Sequence, residues 1–292
     1  LTASGIHTIF PPFLESKAGD CMSNSHIKSS LRRHIVDHVI GAVNTTPFLD
    51  DPFPHVVIRG FFPKDVYADL QRLLPAPDAY EPFSYEKHSD QNGESNRKRF
   101  CLENKFIDKL PAPQRDLWYA IRSALGSVEL KEAVFNKLRT GLTMRYGNEP
   151  DAARSLPGFA LPELFRETAT YHIKPHPDTR KKVVTMQIAL PTDDSQEALG
   201  TEFYKRSLWP GSWLREPVGF EIVKTMPFLP NTTYAFVVLN TIRLKSWHGR
   251  STLTPMCGVR NSILNIWYGK AEDANREIVA ENEAMKASRK AA

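Results

Sequence analysis

The residues best equipped for chemistry lie in Tyr171-His172-Ile173-Lys174-Pro175-His176-Pro177-Asp178, where an imidazole and a carboxylate stand one residue apart. In an extended backbone, side chains at i and i+2 point to the same face, so His176 and Asp178 can reach one point in space. A third donor comes from His248, in Ser246-Trp247-His248-Gly249, after the strand-like run Tyr234 to Leu239. Two histidines and a carboxylate on one side of a metal leave its other positions open, an arrangement suited to Fe(II). Arg260 and Ser262 follow, in a second strand-like run ending at Tyr268, and share a face. A guanidinium fork beside a hydroxyl can hold a small carboxylate.

The elements that must position these groups are β-like. Val184, Met186, Ile188 and Leu190 form one face of a strand, and Val183, Thr185, Gln187 and Ala189 the other. One face should meet the core and the other a barrel interior. There Gln187 would hydrogen-bond a co-substrate or substrate, or satisfy a neighbouring backbone group. Tyr171 reads either as cavity-lining or as packing.

A single H-x-D carries little information; the order H-x-D, then H, then R-x-S, each beside a β-like run, carries more. In that order the chain resembles the Fe(II)- and 2-oxoglutarate-dependent dioxygenases, particularly the prolyl-hydroxylase-like branch. The resemblance is densest from Glu167 to Gly269. It includes Leu190-Pro191-Thr192-Asp193-Asp194 followed by Leu199-Gly200-Thr201-Glu202-Phe203-Tyr204, similar to the family's strand, acidic turn and Gly-started strand. The run Pro52 to Phe62 is similar to the opening strand of many members.

The resemblance implies an α+β fold with a double-stranded β-helix core, a jelly-roll or cupin-like barrel, and N-terminal helices packed on it. It makes His176, Asp178 and His248 the ligands of Fe(II). The co-substrate 2-oxoglutarate would bind through its 1-carboxylate and 2-oxo group, and O2 at the remaining position. Its 5-carboxylate would meet Arg260, with Ser262 as a neutral donor and Gln187 and Tyr171 as further cavity residues. The reaction implied is hydroxylation of an unactivated C–H bond, with release of succinate and CO2; halogenating relatives lack the carboxylate that Asp178 supplies. The expected substrate is a small molecule: an amino acid, a saccharide or another metabolite. Two alternatives stand beside it: a peptidyl, prolyl-type hydroxylase, and a β-barrel that binds a ligand without turnover.

Composition bounds these readings. A chain of 292 residues with 41% hydrophobic content supports a sizeable core. The net charge of +5 is spread among nearly as many acids as bases, and no nucleic-acid motif is present, so no nucleic-acid partner is expected. Basic residues around the H-x-D (Lys174, Arg180, Lys181, Lys182), with Lys205 and Arg206, suit either an acidic substrate or a solvated surface. Cys21, Cys101 and Cys257 are widely separated and odd in number, which reads as free thiols in a reducing, cytoplasmic setting. No apolar run is long enough for a membrane span. Oligomeric state is left open.

Along the chain, residues 1–21 read as a leader that is non-native or disordered, since the sequence starts at Leu1 and Met22 looks like a natural beginning. Residues 22–150 read as a helical part with an opening strand, 151–269 as the catalytic core, and 270–292 as a solvent-facing helix. The four-residue recurrence of Leu31, Ile35, Val39 and Val43 predicts a helix over Ser29 to Val43. On it, His34 and His38 have metal-capable spacing without a third ligand nearby, and read as surface or packing residues. His55 to Arg59 predicts a strand, and Pro63 the start of a helix reaching about Leu74. Ser84 to Arg99 is polar and reads as a loop or lid. Gln114 to Leu125 and Val128 to Leu138 predict helices, the second capped by Ser127. Lys205 to Gly219 carries too many breakers for a regular element, its tryptophans more a local core than a substrate platform.

Overall fold

The apolar recurrence in the first half does produce a helix, α1, over Asp20–Thr45, in a computed structural model that describes residues 20–83 and 95–291. It buries Ile35, Val36, Val39 and Val43. The helix is longer than the stripe predicted and takes in Asp20 and Cys21; the rest of the expected leader lies outside the described residues. Strand β1 (Phe48–Leu49) pairs with β2 (His55–Arg59), and α2 (Lys64–Arg72) follows Pro63 directly. Strand β3 (Glu81–Pro82) pairs with β4 (Arg97–Cys101). This corrects the loop reading for Arg97 to Arg99; residues 84–94 of that stretch lie outside the described residues. The charges hid the strand because they are matched from the next strand: Arg99 Nη1 lies 3.1 Å from Glu163 and Arg97 Nε 3.1 Å from Glu167.

Four helices follow: α3 (Asn104–Ile107), α4 (Ala112–Leu125), α5 (Val128–Lys137) and α6 (Arg139–Tyr146). Ser127 caps α5 as its position predicts, its hydroxyl accepting from the Leu130 N–H at 3.2 Å. Helix α6 ends at Gly147, whose φ of 68° is a left-handed conformation that costs glycine nothing.

The β-rich half comprises β5 (Phe159–Glu167), β6 (Ile173–His176), β7 (Lys182–Ala189), β8 (Glu202–Arg206), β9 (Phe220–Thr225), β10 (Thr232–Val237), β11 (His248–Arg250) and β12 (Arg260–Tyr268). Lys205 and Arg206 belong to β8, so the irregular stretch starts later than expected. Trp209 and Trp213, in that stretch, are 57% and 53% exposed and form no local core. The last helix, α7 (Arg276–Ala291), is not simply solvent-facing. Asn275 caps it, Ile278 is buried, and Glu277 pairs with the buried Arg122 of α4 at 2.7 Å.

Two antiparallel sheets result. The larger has the order β1-β2-β10-β7-β12-β5-β4-β3, the smaller β6-β11-β8-β9. Alternation on β7, β10 and β12 sends Val184, Met186, Ile263 and Trp267 towards the helices, where Trp267 meets Phe135 of α5 edge to face at 6.0 Å. The opposite face turns Thr185, Gln187, Tyr234, Phe236 and Leu264 towards the small sheet. Phe203 of the small sheet closes the gap, 5.6 Å from Phe236 and 4.3 Å from Phe53. The order is helices, large sheet, small sheet: an α+β arrangement with helices kept to one face of an antiparallel sheet. Among the described residues no helix is long and apolar enough to cross a membrane.

Candidate metal and acid-binding site

The pairing of β6 with β11 sets His176 directly opposite His248, with ring centroids 4.4 Å apart. Each imidazole is oriented by its own strand: Nδ1 of His176 meets the Lys174 carbonyl and Nδ1 of His248 the Ser246 carbonyl, both at 2.9 Å. A carbonyl only accepts, so each Nδ1 carries the proton and each Nε2 keeps its lone pair. Asp178, just past the end of β6, brings its Oδ2 to 3.7 Å from His248 Nε2. Donor atoms of all three residues lie within 4.8 Å of one another. Donors on one face of a first-row metal, with bonds of about 2.1 Å, sit about 3 Å apart, so the three would draw together around an ion, and the hydrogen bonds on the far ring nitrogens are those that fix a ligating histidine.

The carboxylate is held as firmly. Lys182 Nζ donates to Oδ1 at 2.5 Å, the Thr185 hydroxyl to Oδ2 at 2.7 Å, and the Asn240 amide to the Asp178 main-chain carbonyl at 2.9 Å. With Lys182 on Oδ1, the oxygen left facing the histidines is Oδ2. Burial would raise the Asp178 carboxyl, but His248, Lys182 and Thr185 outweigh it and hold it well below the carboxylate range. Burial pulls His248 down to about 4, partly opposed by Asp178, and lowers His176 as well. Near neutral pH the cluster therefore offers one anion and two neutral imidazoles, the protonation state a metal needs.

These residues stand in a cavity of about 110 Å³, with Phe236, Leu264, Ile266 and Tyr171 among its walls. Arg260 lines the same cavity. Its guanidinium is 2% exposed, lies 4.1 Å over the Phe228 ring, and pairs through Nη1 with Glu167. Nε donates to the Leu199 carbonyl at 2.8 Å and Nη2 to Gln187 Oε1 at 3.1 Å. Gln187 is thus engaged with protein groups. Its Oε1 also receives the Thr201 hydroxyl at 3.2 Å and lies 2.7 Å from the Tyr234 hydroxyl, while its Nε2 donates to Ser262 at 3.2 Å. Ser262 is fully buried and is not among the cavity-lining residues; its hydroxyl orients Gln187. Tyr171 lines the cavity, and burial pushes its hydroxyl up to about 12, so it stays protonated.

Sequence reasoning passed over Arg97, Glu167, Thr201 and Tyr234, all of which line the cavity. Only the sheet register reveals the first two; Thr201, just before β8, lay within the Gly-started pattern but was given no role, and Tyr234 of β10 was read only as part of a strand-like run. The suggestion that local basic residues await an acidic substrate loses ground. Lys182 holds Asp178, Arg180 donates to the Asn240 carbonyl at 2.9 Å, Lys181 pairs with Asp273 at 2.7 Å and Lys205 with Asp51 at 3.0 Å. Arg206 stacks on Phe220 and Trp247. His34 and His38 are exposed, near Asp65 and the Gly60 carbonyl respectively, and belong to no three-donor group among the described residues.

Two facing antiparallel sheets thus enclose, in one cavity, three convergent donors that could hold a metal ion and a buried arginine. No protein-family model matches the chain, and no curated protein matches it in sequence. Among solved structures, it is similar to the non-haem alpha-ketoglutarate-dependent epimerase SnoN from nogalamycin biosynthesis, at 13% identity over 82% of each chain and a TM-score of 0.44. It is similar to a prolyl 4-hydroxylase from Phytophthora capsici, at 14% identity over 90% of this chain and 70% of that one, TM-score 0.43. A Pseudomonas putida prolyl-4-hydroxylase gives 12% identity over 80% of this chain and 99% of that one, TM-score 0.41. These are distant likenesses.

Proposed function

We propose that this chain is an Fe(II)- and 2-oxoglutarate-dependent dioxygenase that hydroxylates an unactivated C–H bond of a small molecule. The observation that carries this reading is the convergence of three oriented donors, His176, Asp178 and His248, in the same small cavity as Arg260. Strands β5 to β12 support the fold half of the proposal. They divide between the sheets as β10-β7-β12-β5 and β6-β11-β8-β9, which is the strand order of a jelly roll, or double-stranded β-helix.

In this proposal His176 Nε2, Asp178 Oδ2 and His248 Nε2 hold the metal. Bound Fe(II), with 2-oxoglutarate and O2, would supply the oxidising chemistry, releasing succinate and CO2. The protein's own part is positional. The carbonyls of Lys174 and Ser246 keep the lone pairs inward, and Lys182 and Thr185 keep Asp178 ionised. Arg260 offers a charged fork to the distal carboxylate of the co-substrate, and Phe236, Leu264 and Ile266 exclude water. A cavity of about 110 Å³ takes a small acid, so the molecule to be hydroxylated would sit at its mouth. Free thiols at Cys101 and Cys257 suit a reducing, cytoplasmic compartment, which would also keep iron ferrous.

The test is an anaerobic titration with Fe(II) and 2-oxoglutarate, followed by succinate measurement on admitting air with a panel of amino acids, saccharides and other metabolites. Binding of both with substrate-stimulated succinate release is expected. Binding of neither would favour a ligand-binding barrel without turnover, and stimulation by peptides alone would move the assignment to a peptidyl hydroxylase.

A further inference from the structure

The end of the cavity occupied by Arg260 contains a second arginine, supplied by a strand outside the β5 to β12 set. Arg97 of β4 and Arg260 of β12 are both in direct cross-strand register with Glu167 of β5. The three residues form one row across adjacent strands, and all three line the cavity. Glu167 is 1% exposed and its two oxygens are divided: Oε1 lies 3.1 Å from Arg97 Nε, while Oε2 meets Arg260 Nη1. Arg97 is 9% exposed, and its guanidinium is held over the rings of Phe165 at 4.3 Å and of Phe83 and Tyr171 at 5.1 Å each. The plane of the fork is thereby fixed rather than left to sample rotamers.

Charge counting gives the row a purpose. Two guanidiniums against one carboxylate leave one positive charge in a buried place, where an uncompensated charge is costly. Among the described residues, the other charged groups lining the cavity do not cancel it. Lys182 is matched by Asp178, and Arg250 has Glu202 behind it at 3.6 Å. One more carboxylate would complete the row.

We propose that Arg97 is a second co-substrate-binding residue, acting with Arg260 on the distal carboxylate of a five-carbon 2-oxo diacid, and that Glu167 sets the charge of this end so that it takes one carboxylate. The inference rests on the proposed function above and adds to it a residue and a basis of selectivity. A single unbalanced charge distinguishes a 2-oxo diacid from a 2-oxo monoacid of the same length. The selectivity depends on β4 being seated on β5, so a strand outside the jelly-roll set takes part in recognising the co-substrate.

The experiment compares 2-oxoglutarate with 2-oxopentanoate, which keeps the metal-binding end and lacks the distal carboxylate. Affinities are measured by calorimetry on the anaerobic Mn(II)-loaded protein, without turnover. Wild type should prefer the diacid. Arg97→Met should weaken 2-oxoglutarate about tenfold to a hundredfold, the range for a hydrogen bond to a charged group, and leave 2-oxopentanoate nearly unchanged. Arg97→Lys keeps the charge without the fork and should fall between, which covers the case of a poorly folding Met variant. Glu167→Gln, which leaves two unbalanced cations, should widen the diacid preference. An Arg97→Met variant that binds 2-oxoglutarate as wild type does, or that loses both acids equally, would overturn the role given to Arg97. A wild type that binds neither acid would instead overturn the functional reading beneath it.

Discussion

His248 faces His176 across the β6 and β11 pair because the residue beside it, Gly249, has no side chain: a Cβ there would lie 2.6 Å from the Ile173 carbonyl oxygen. Gly249→Ala must therefore push β11 off β6 and separate the two imidazoles without altering any donor. The expected outcome is metal affinity reduced about 10- to 100-fold, the usual cost of disturbing the groups that orient ligands. Anaerobic Co(II) titration followed by its visible absorption would check it; wild-type affinity would mean the strands tolerate the methyl group.

Removing a donor should do more than misplacing it. His176→Ala or His248→Ala is expected to abolish metal binding and succinate formation together. Arg260→Ala should spare the metal and weaken 2-oxoglutarate. Parallel metal and co-substrate titrations on the three variants separate the roles, and unchanged 2-oxoglutarate affinity in Arg260→Ala would exclude that arginine.

Gln187 receives Arg260 and Thr201 on Oε1, lies within hydrogen-bond distance of Tyr234, and donates to Ser262. Gln187→Leu keeps approximate volume and strips Arg260 Nη2 of this partner in a buried setting. A loss of about 2 to 3 kcal/mol in folding stability is expected from a buried charged donor left unsatisfied. Urea unfolding provides the measurement, and a loss under about 0.5 kcal/mol, the range of neutral surface changes, would show that the network is not cooperative.

Acid should weaken the metal-free protein through its buried imidazoles. Burial lowers His55, whose Nδ1 donates to the Phe53 carbonyl at 2.7 Å and whose Nε2 faces Lys224 Nζ at 3.0 Å; His176 and His248 are lowered too. A histidine whose folded pKa lies below its unfolded value leaves the unfolded chain holding more protons. Its contribution is complete above about pH 6.5 and is lost as the pH falls. For His248 the loss continues down to about 4. Asp178, whose folded pKa is also depressed, adds to the loss only below the ordinary carboxylate pKa. Unfolding midpoints should drop between pH 7.5 and 5, and His55→Phe should flatten the slope; a slope identical to wild type would show that His55 is accessible to protons.

Two described thiols should behave differently. Burial, reinforced by Glu163, pushes Cys101 up to about 12, whereas Cys257 is only half-buried. At pH 8, iodoacetamide followed by peptide mapping should label Cys257 and spare Cys101 until the chain is unfolded. Early labelling at Cys101 would mean that β4 opens readily from β5.

The convergence of His176, Asp178 and His248 was legible in the sequence from the two-residue spacing of the first pair and from the order H-x-D, H, R-x-S beside β-like runs. The alternation through Val183 to Leu190 likewise gave both faces of β7. The row of Arg97, Glu167 and Arg260 was not legible. Arg97 sits in a run so polar that it reads as a loop, and its partner Glu167 is distant in sequence; only the register of β4 on β5 puts them together. Ser262 shows the converse limit. Sharing a face with Arg260 was correct, yet Gln187 stands between it and the cavity, and side-chain depth is not a property of strand periodicity.

The position of β12 has a consequence for how the chain is made. It is the last strand in sequence, yet it lies between β5 and β7 and pairs with both. Until its residues leave the ribosome, those two strands present open edges to each other and to neighbouring nascent chains, and Glu167 waits with one of its arginines absent. Such late, long-range closure is slow and exposes strands to association with other molecules. Truncation within β12 should accordingly yield inclusion bodies rather than a shortened but soluble protein.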